Sequence, residues 1–391
     1  MTICLALLLL LAPPQEQPDA IERGFDHFYN LEFEEALQVF TNLAQSQPDR
    51  ADLRNHLAQA FLFREMLKAG ALESEMVTGG NSFLRRPKMN PSALDQQHFD
   101  QAIAAAMRLS QKRLDGNPDD PQGLYNLGVA HGLRANYNYL VRKAWVDSLR
   151  DATAGRKLHN RLTALEPSLI DAKLMQGMHD YVIGSLPWYY KALGFLAGFR
   201  GDREQGIRTL QEVAAKGDKN RADAAILLAA IYRRERRPAD AVPLLNGLTG
   251  KFPRNYLLHL ELAQMYSDLG DRPKALEALV KVERMKHEGL PGFRNMPIEK
   301  VYYFRGNLQF WFDEWESAVT NLSKATAKAE DLDPNTGVMA WMRLGQSLDL
   351  LGRRQQAMEA YRQASKYASG SAVARESEGY LRSPYRRVRK P

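Results

Sequence analysis

Between Ala222 and Glu283 the chain repeats itself. Leu228, Tyr232, Ala241 and Leu245 are followed, each 34 residues later, by Leu262, Tyr266, Ala275 and Leu279. Within each copy a small residue returns after twelve positions, Ala229 to Ala241 and Ala263 to Ala275. A fixed period of this length marks a repeat whose units stack to bury a continuous core. Each unit packs only on its neighbours, so a chain of 391 residues need not gather one core.

The unit resembles the tetratricopeptide repeat, which implies two helices per unit, with large residues filling the seam and small ones letting the pair cross closely. That resemblance implies an all-α fold, a right-handed superhelical solenoid of antiparallel helix pairs, here with insertions in the N-terminal half. No run alternates with period two, so no sheet is expected. Other copies are readable along the chain. A first unit spans Pro18 to Pro48, with Gly24 and Ala36 at the twelve-residue offset and Phe40 in the seam. Gly306 and Ala318 mark a unit rich in aromatics, and Trp341, Gly345, Ala357 and Tyr361 mark the last clear one.

Two units depart from the period. The helix holding Leu57, Ala58 and Phe61 is expected to run to about Val77 and stop at Thr78-Gly79-Gly80-Asn81. A loop from Ser82 to Pro91 leads to its partner, Gln96 to Leu114. The unit opened by Leu124, Leu127 and Gly128 overruns through Asn136 to Trp145, with a second helix expected from Asp151 to Leu165. The segment 184–202, rich in glycine and aromatics, is placed on the repeat: Gly194 to Gly206 is again twelve. The helix before it, Ser168 to Ile183, then falls outside strict pairing. Leu186-Pro187, Gly194-Phe195 and Gly201-Asp202-Arg203 also resemble a stretch of the Iml2-type tetratricopeptide family and related bacterial repeat proteins, a likeness that implies no chemistry.

The chain divides accordingly. Residues 1–15 are a signal peptide or apolar segment, 16–120 N-terminal repeats with a long-loop insertion, and 121–186 irregular repeats. Residues 187–283 are regular units, 284–298 a linker, 299–370 C-terminal units, and 371–391 a capping segment with a basic tail, disordered after Ser383. The run Ile3 to Ala12 has the length of a signal-peptide core and is too short to span a bilayer, although no Lys or Arg precedes it. Export to the periplasm or cell envelope is the expectation, and a cytoplasmic location the alternative. Cys4, the single cysteine, lies inside that run, which leaves the remainder without disulfide or zinc–thiolate chemistry.

The formal charge of +7 invites a nucleic-acid reading. Five positive residues and no acid lie between Tyr380 and Pro391, however, and the remainder is close to neutral, so no phosphate-tracking groove is implied. The eight histidines never fall four apart, no glycine-rich loop follows a strand, and no serine sits in a nucleophile elbow. We therefore expect no enzyme, no cofactor and no metal.

By the resemblance, the second, fifth, ninth and twelfth positions of each unit line a concave partner-binding face. Tyr125, Arg233, Leu257, Leu260, Gln264, Met342 and Gln346 are its candidates, a mixed apolar and amide lining suited to a helix or extended peptide. The lysine–asparagine clamp of chaperone-tail receptors in this superfamily is absent. A second candidate is the run Tyr137, Tyr139, Arg142 and Trp145, which has the rings and charge to stack on a sugar or base. At helical spacing Tyr137, Val141 and Trp145 instead form a buried stripe. The function expected is a non-enzymatic scaffold or adaptor for a protein or peptide partner in the cell envelope. The alternative is a small-ligand or glycan-binding module using the aromatic insertion.

Overall fold

The structure, a computed structural model, describes residues 19–72, 88–185 and 201–387. Seventeen α-helices lie among the described residues, and none of these residues forms a strand. They are α1 (Ala20–Tyr29), α2 (Phe33–Ser46), α3 (Ala51–Lys68), α4 (Ala93–Gly116), α5 (Pro121–Tyr137) and α6 (Trp145–Leu165). There follow α7 (Lys173–Gly184), α8 (Arg203–Lys216), α9 (Arg221–Arg234), α10 (Pro238–Lys251), α11 (Tyr256–Asp268) and α12 (Arg272–His287). The last are α13 (Ile298–Trp311), α14 (Trp315–Thr326), α15 (Pro334–Leu350), α16 (Arg354–Tyr367) and α17 (Ala372–Arg382). Each packs chiefly on the next, giving eight hairpins and a terminal helix, an all-α superhelical solenoid.

Local chemistry sets the helix starts. Asp120, Asp202, Asn255, Asp271, Asp333 and Ser371 each cap the helix that follows by accepting a backbone N–H, and proline opens the first turn of α5, α12 and α15. The second-helix small residues Ala36, Ala241, Ala275, Ala318 and Ala357 are fully buried at the crossings. A larger side chain there would push the pair apart.

Several expectations change. α3 ends at Lys68 rather than near Val77, because Gly70 turns with φ 67° and the Ala71 N–H closes onto the Met66 carbonyl at 2.7 Å. Residues 73–87, with the expected stop at Thr78 to Asn81, lie outside the described residues, as do the leading segment 1–18 and residues 186–200 with Gly194. α7 is no odd helix: it pairs with α8. A Cβ on Gly206 would lie 2.4 Å from the Tyr181 nitrogen and 2.7 Å from the Gly177 oxygen, so Gly206 meets α7 backbone to backbone. α6 begins at Trp145, six residues before the expected Asp151. A π-helical turn, Asn138–Arg142, and a left-handed Lys143 (φ 55°) separate it from α5. The stretch 284–298 is no loose linker, since Phe293 and Met296 are fully buried.

The solenoid also meets itself. Arg254, just before α11, donates to Glu32 at 2.7 Å and to Asp26 at 2.6 Å, while the Arg254 N–H donates to Asn30 at 2.9 Å. Asn255 Nδ2 donates to the Tyr29 carbonyl at 2.7 Å, and the Tyr29 ring lies 4.7 Å from that of Phe252. Burial alone would raise the Glu32 carboxyl; the hydrogen bonds from Arg254 and His27 hold it below the usual carboxylate range. One hairpin further on, Gly70 rests against the buried Asp333 carboxylate before α15. The first two hairpins thus dock on the starts of the sixth and eighth.

Candidate partner-binding surface

The inner-face candidates are held by neighbouring helices. Arg233 Nη1 reaches Glu261 of α11 at 2.7 Å. Gln264 donates to Asp268 at 2.8 Å and accepts from Asn307 of α13 at 3.3 Å. Arg343 donates to Gln346 at 2.7 Å and stacks over Phe310 and Trp311 at 4.4 and 4.9 Å. Leu260 and Met342 are buried, and Leu257 packs at the edge of the same cluster. The Tyr125 hydroxyl accepts from Asn220 at 3.0 Å, and its ring stacks on His159 at 5.3 Å. These contacts tie Arg233, Gln264 and Tyr125 to neighbouring elements, and Gln346 to Arg343 of its own helix.

Tyr29 hydrogen-bonds Asp223, with Asp171 and Tyr125 close by. Asp223 keeps some accessible surface yet lies deep among packed helices. Burial, with the Asp171 charge adding to it and the Tyr29 hydrogen bond opposing, raises its carboxyl to about 6. His56, edge-on to Phe25 at 4.7 Å, is lowered by burial to about 4. His159 and His259 give their Nε2 to the backbone oxygens of Tyr125 and Pro253, at 3.1 and 3.0 Å. No group of three or more His, Cys, Asp or Glu able to hold a metal occurs among the described residues.

The insertions behave differently. Asp151, buried on α6, accepts from His131 at 2.9 Å, from Arg134 at 2.9 and 2.6 Å, and from Asn138 at 3.0 Å. This carboxylate pins the π-helical turn to α6. Tyr137 lies in the core, stacked on Phe99 at 3.9 Å, and burial pushes its hydroxyl up to about 12. Arg142 lies 5.0 Å above the Tyr137 ring and binds Asp100 of α4 at 2.5 Å. The Met89 N–H donates to the Leu140 carbonyl at 3.0 Å, so the two insertions touch.

Beyond Lys143 the stripe breaks. Tyr137 and Val141 are buried, but the left-handed residue turns Trp145 outwards, 46% exposed, its ring edge-on to Tyr139 at 4.9 Å. Val146 follows at 71% and Leu149 at 46%. Trp145 and Leu149 are four apart on α6 and share a face. Neither Val146 nor Leu149 stands among the sequence candidates; Leu149 lies four residues after Trp145 and three after Val146, but an exposed stripe and a core stripe have the same spacing. On α4 an open cleft of about 570 Å³ is lined by Gln96, Gln97, Asp100 and Gln101, and Leu94, next to its lining residue Ala93 in sequence, is exposed.

A family model described as tetratricopeptide repeat matches residues 227–286. No curated protein matches the chain in sequence. Among solved structures, human IFIT1, as a dimer with PPP-AAAA, is 16% identical at a TM-score of 0.46, over 93% of this chain and 84% of that one. Yeast Tom70 is 12% identical at 0.42, over 93% and 88%. A tetratricopeptide repeat protein from Parabacteroides merdae is 15% identical at 0.32, over 82% and 97%.

Proposed function

We propose, from the premise that this chain is a tetratricopeptide-repeat protein, that it is a non-enzymatic scaffold holding a protein partner on the surface built by its two insertions. The observation that carries this is the exposed apolar group Trp145, Val146 and Leu149 on the first turns of α6, just after a π-helical turn that Asp151 and Met89 fix in place. Three large apolar side chains clustered at one helix start favour a docked partner, each worth roughly 1.5–3 kcal/mol when fully buried. An amphipathic helix suits them, with its apolar stripe on α6 and its polar flank towards Arg142, Asp100 and Gln97. The groove candidates are engaged with neighbouring side chains, which favours the exposed start of α6 over them. The apolar run Ile3 to Ala12 supports export as the compartment, and fractionation of the tagged chain tests that separately.

Affinity capture on the full chain tests the binding reading. Trp145→Ala with Val146→Ser and Leu149→Ser should lose the captured partner while the melting curve stays two-state at an unchanged midpoint. An unchanged set of captured proteins from a folded variant overturns it.

A further inference from the structure

The last described residues do not trail into solvent. After α17 the chain turns back at Ser383 and runs across the C-terminal ends of α15 and α13. The Tyr385 N–H donates to Asp349 Oδ2 at 2.8 Å, and its ring lies 5.9 Å from Phe310 and 5.4 Å from Tyr380. Asp349 is the hub of this contact. It also accepts from Tyr361 at 2.9 Å and from Arg354 through both oxygens at 3.1 Å, and its side chain is 1% exposed. Arg354 in turn donates to the carbonyls of Tyr380 and Leu381 at 2.7 and 2.9 Å.

Two residues later Arg387 fills a complete guanidinium site. It donates to the Trp311 carbonyl at 2.8 Å and the Phe310 carbonyl at 3.3 Å, both at the C-terminus of α13, and pairs with Asp313. Its guanidinium carbon lies 5.6 Å from the Trp311 ring. A helix C-terminus leaves carbonyls unsatisfied and is electronegative, so it favours a cation. Here a carboxylate and an indole face add to it. Planar hydrogen bonding, charge and ring stacking together suit arginine rather than lysine.

We propose that this track is a recognition site for an extended Tyr-X-Arg segment, occupied in the resting chain by its own tail and yielded to a partner segment of the same chemistry. The tail holds the site through few residues, but its short tether to α17 gives it a high effective concentration, so a partner segment displaces it only by being locally concentrated or by adding contacts of its own. This site is separate from the insertion surface and stands whether or not that surface binds a partner.

The test uses the full chain. Tyr385→Ala with Arg387→Ala empties the track while leaving Asp313, Asp349 and Trp311 in place. A labelled peptide of residues 382–391 should bind that variant at least about tenfold more tightly than the unchanged chain, the scale of a charge-assisted contact. Adding Asp313→Asn to the variant should weaken binding about tenfold. Equal affinity for variant and unchanged chain, equal binding of a scrambled peptide of the same charge, or indifference to Asp313→Asn overturns the proposal. A second measurement needs no peptide: Asp313→Asn alone should speed tryptic cleavage after Arg386 and Arg387 by about tenfold. An unchanged cleavage rate also sinks the proposal.

Discussion

Gly206→Ala is the sharpest single test of the helix pairing. The new Cβ would sit 2.4 Å from the Tyr181 nitrogen, 2.7 Å from the Gly177 oxygen and 2.8 Å from the Tyr181 Cα, and ordinary contact begins near 3.4 Å. All three obstacles are backbone, so no rotamer relieves them, and α8 must move about 1 Å from α7. Overpacking of this kind costs roughly 1–3 kcal/mol or more. Alanine regains about 1 kcal/mol of helix propensity. With every obstacle in the backbone the cost falls at the upper end, about 3 kcal/mol, so the expected net loss is about 2 kcal/mol. Gly247→Ala is the internal control, since nothing lies within 4 Å of its would-be Cβ on α10. It keeps the propensity gain alone and should stabilise by about 0.5–1 kcal/mol. Urea denaturation of both variants, read by circular dichroism at constant m, gives the comparison. If Gly206→Ala is neutral or stabilising, α7 and α8 do not cross where Gly177 and Gly206 meet.

Three further outcomes follow from the same geometry. Arg254→Ala removes the contacts to Glu32 and Asp26 and should loosen the first hairpin from the sixth; X-ray scattering should show a larger radius of gyration, and an unchanged radius counts against the clasp. Lys300→Met leaves the Asp333 carboxylate buried without its 2.5 Å partner and should cost about 3–5 kcal/mol, read as a lower urea midpoint, with Asp333→Asn added on top restoring part of it. Burial would raise Asp333, but Lys300 holds it near 2, so this pair's contribution is present above pH 4 and lost as pH falls through 2. Asp223 has the opposite sign: raised to about 6, it favours the folded state below its unfolded pKa near 4, and that advantage is gone above pH 6. Asp223→Asn should therefore stabilise on the order of 2 kcal/mol at pH 7.5 and hardly at all at pH 3.5; an equal effect at both pH values refutes it.

The hairpins are legible because steric demand writes them locally. Ala241 and Ala275 must be small where helices cross, and Leu245 and Leu279 must be large where the seam needs filling. The contact of Gly206 with Gly177 on α7 spans 29 residues, a spacing that the twelve-residue offset does not announce. The core role of Phe293 and Met296 was hidden by the glycines and prolines around them, which read as a linker. Asp151 escaped because its partners come from three points on α5 and the π-helical turn, with no motif joining them. The tail looked free on composition, being basic and proline-containing. Its acceptors are largely main-chain carbonyls at the end of α13, and no residue pattern announces those. Surface exposure of Trp145 likewise depends on the backbone of Lys143, which departs from the helical period.

The docking of Tyr29 to Glu32 on Phe252 to Asn255 joins positions more than 220 residues apart in sequence. An open array of repeats forms from neighbour contacts alone, so its folding can start anywhere and spread along the chain. This array cannot finish that way, because its first hairpin gains part of its stability only after the sixth exists. Contact order rises accordingly, and the final step should be a slow loop closure rather than one more nearest-neighbour addition. During synthesis the amino-terminal hairpins would thus emerge well before the surface that steadies them.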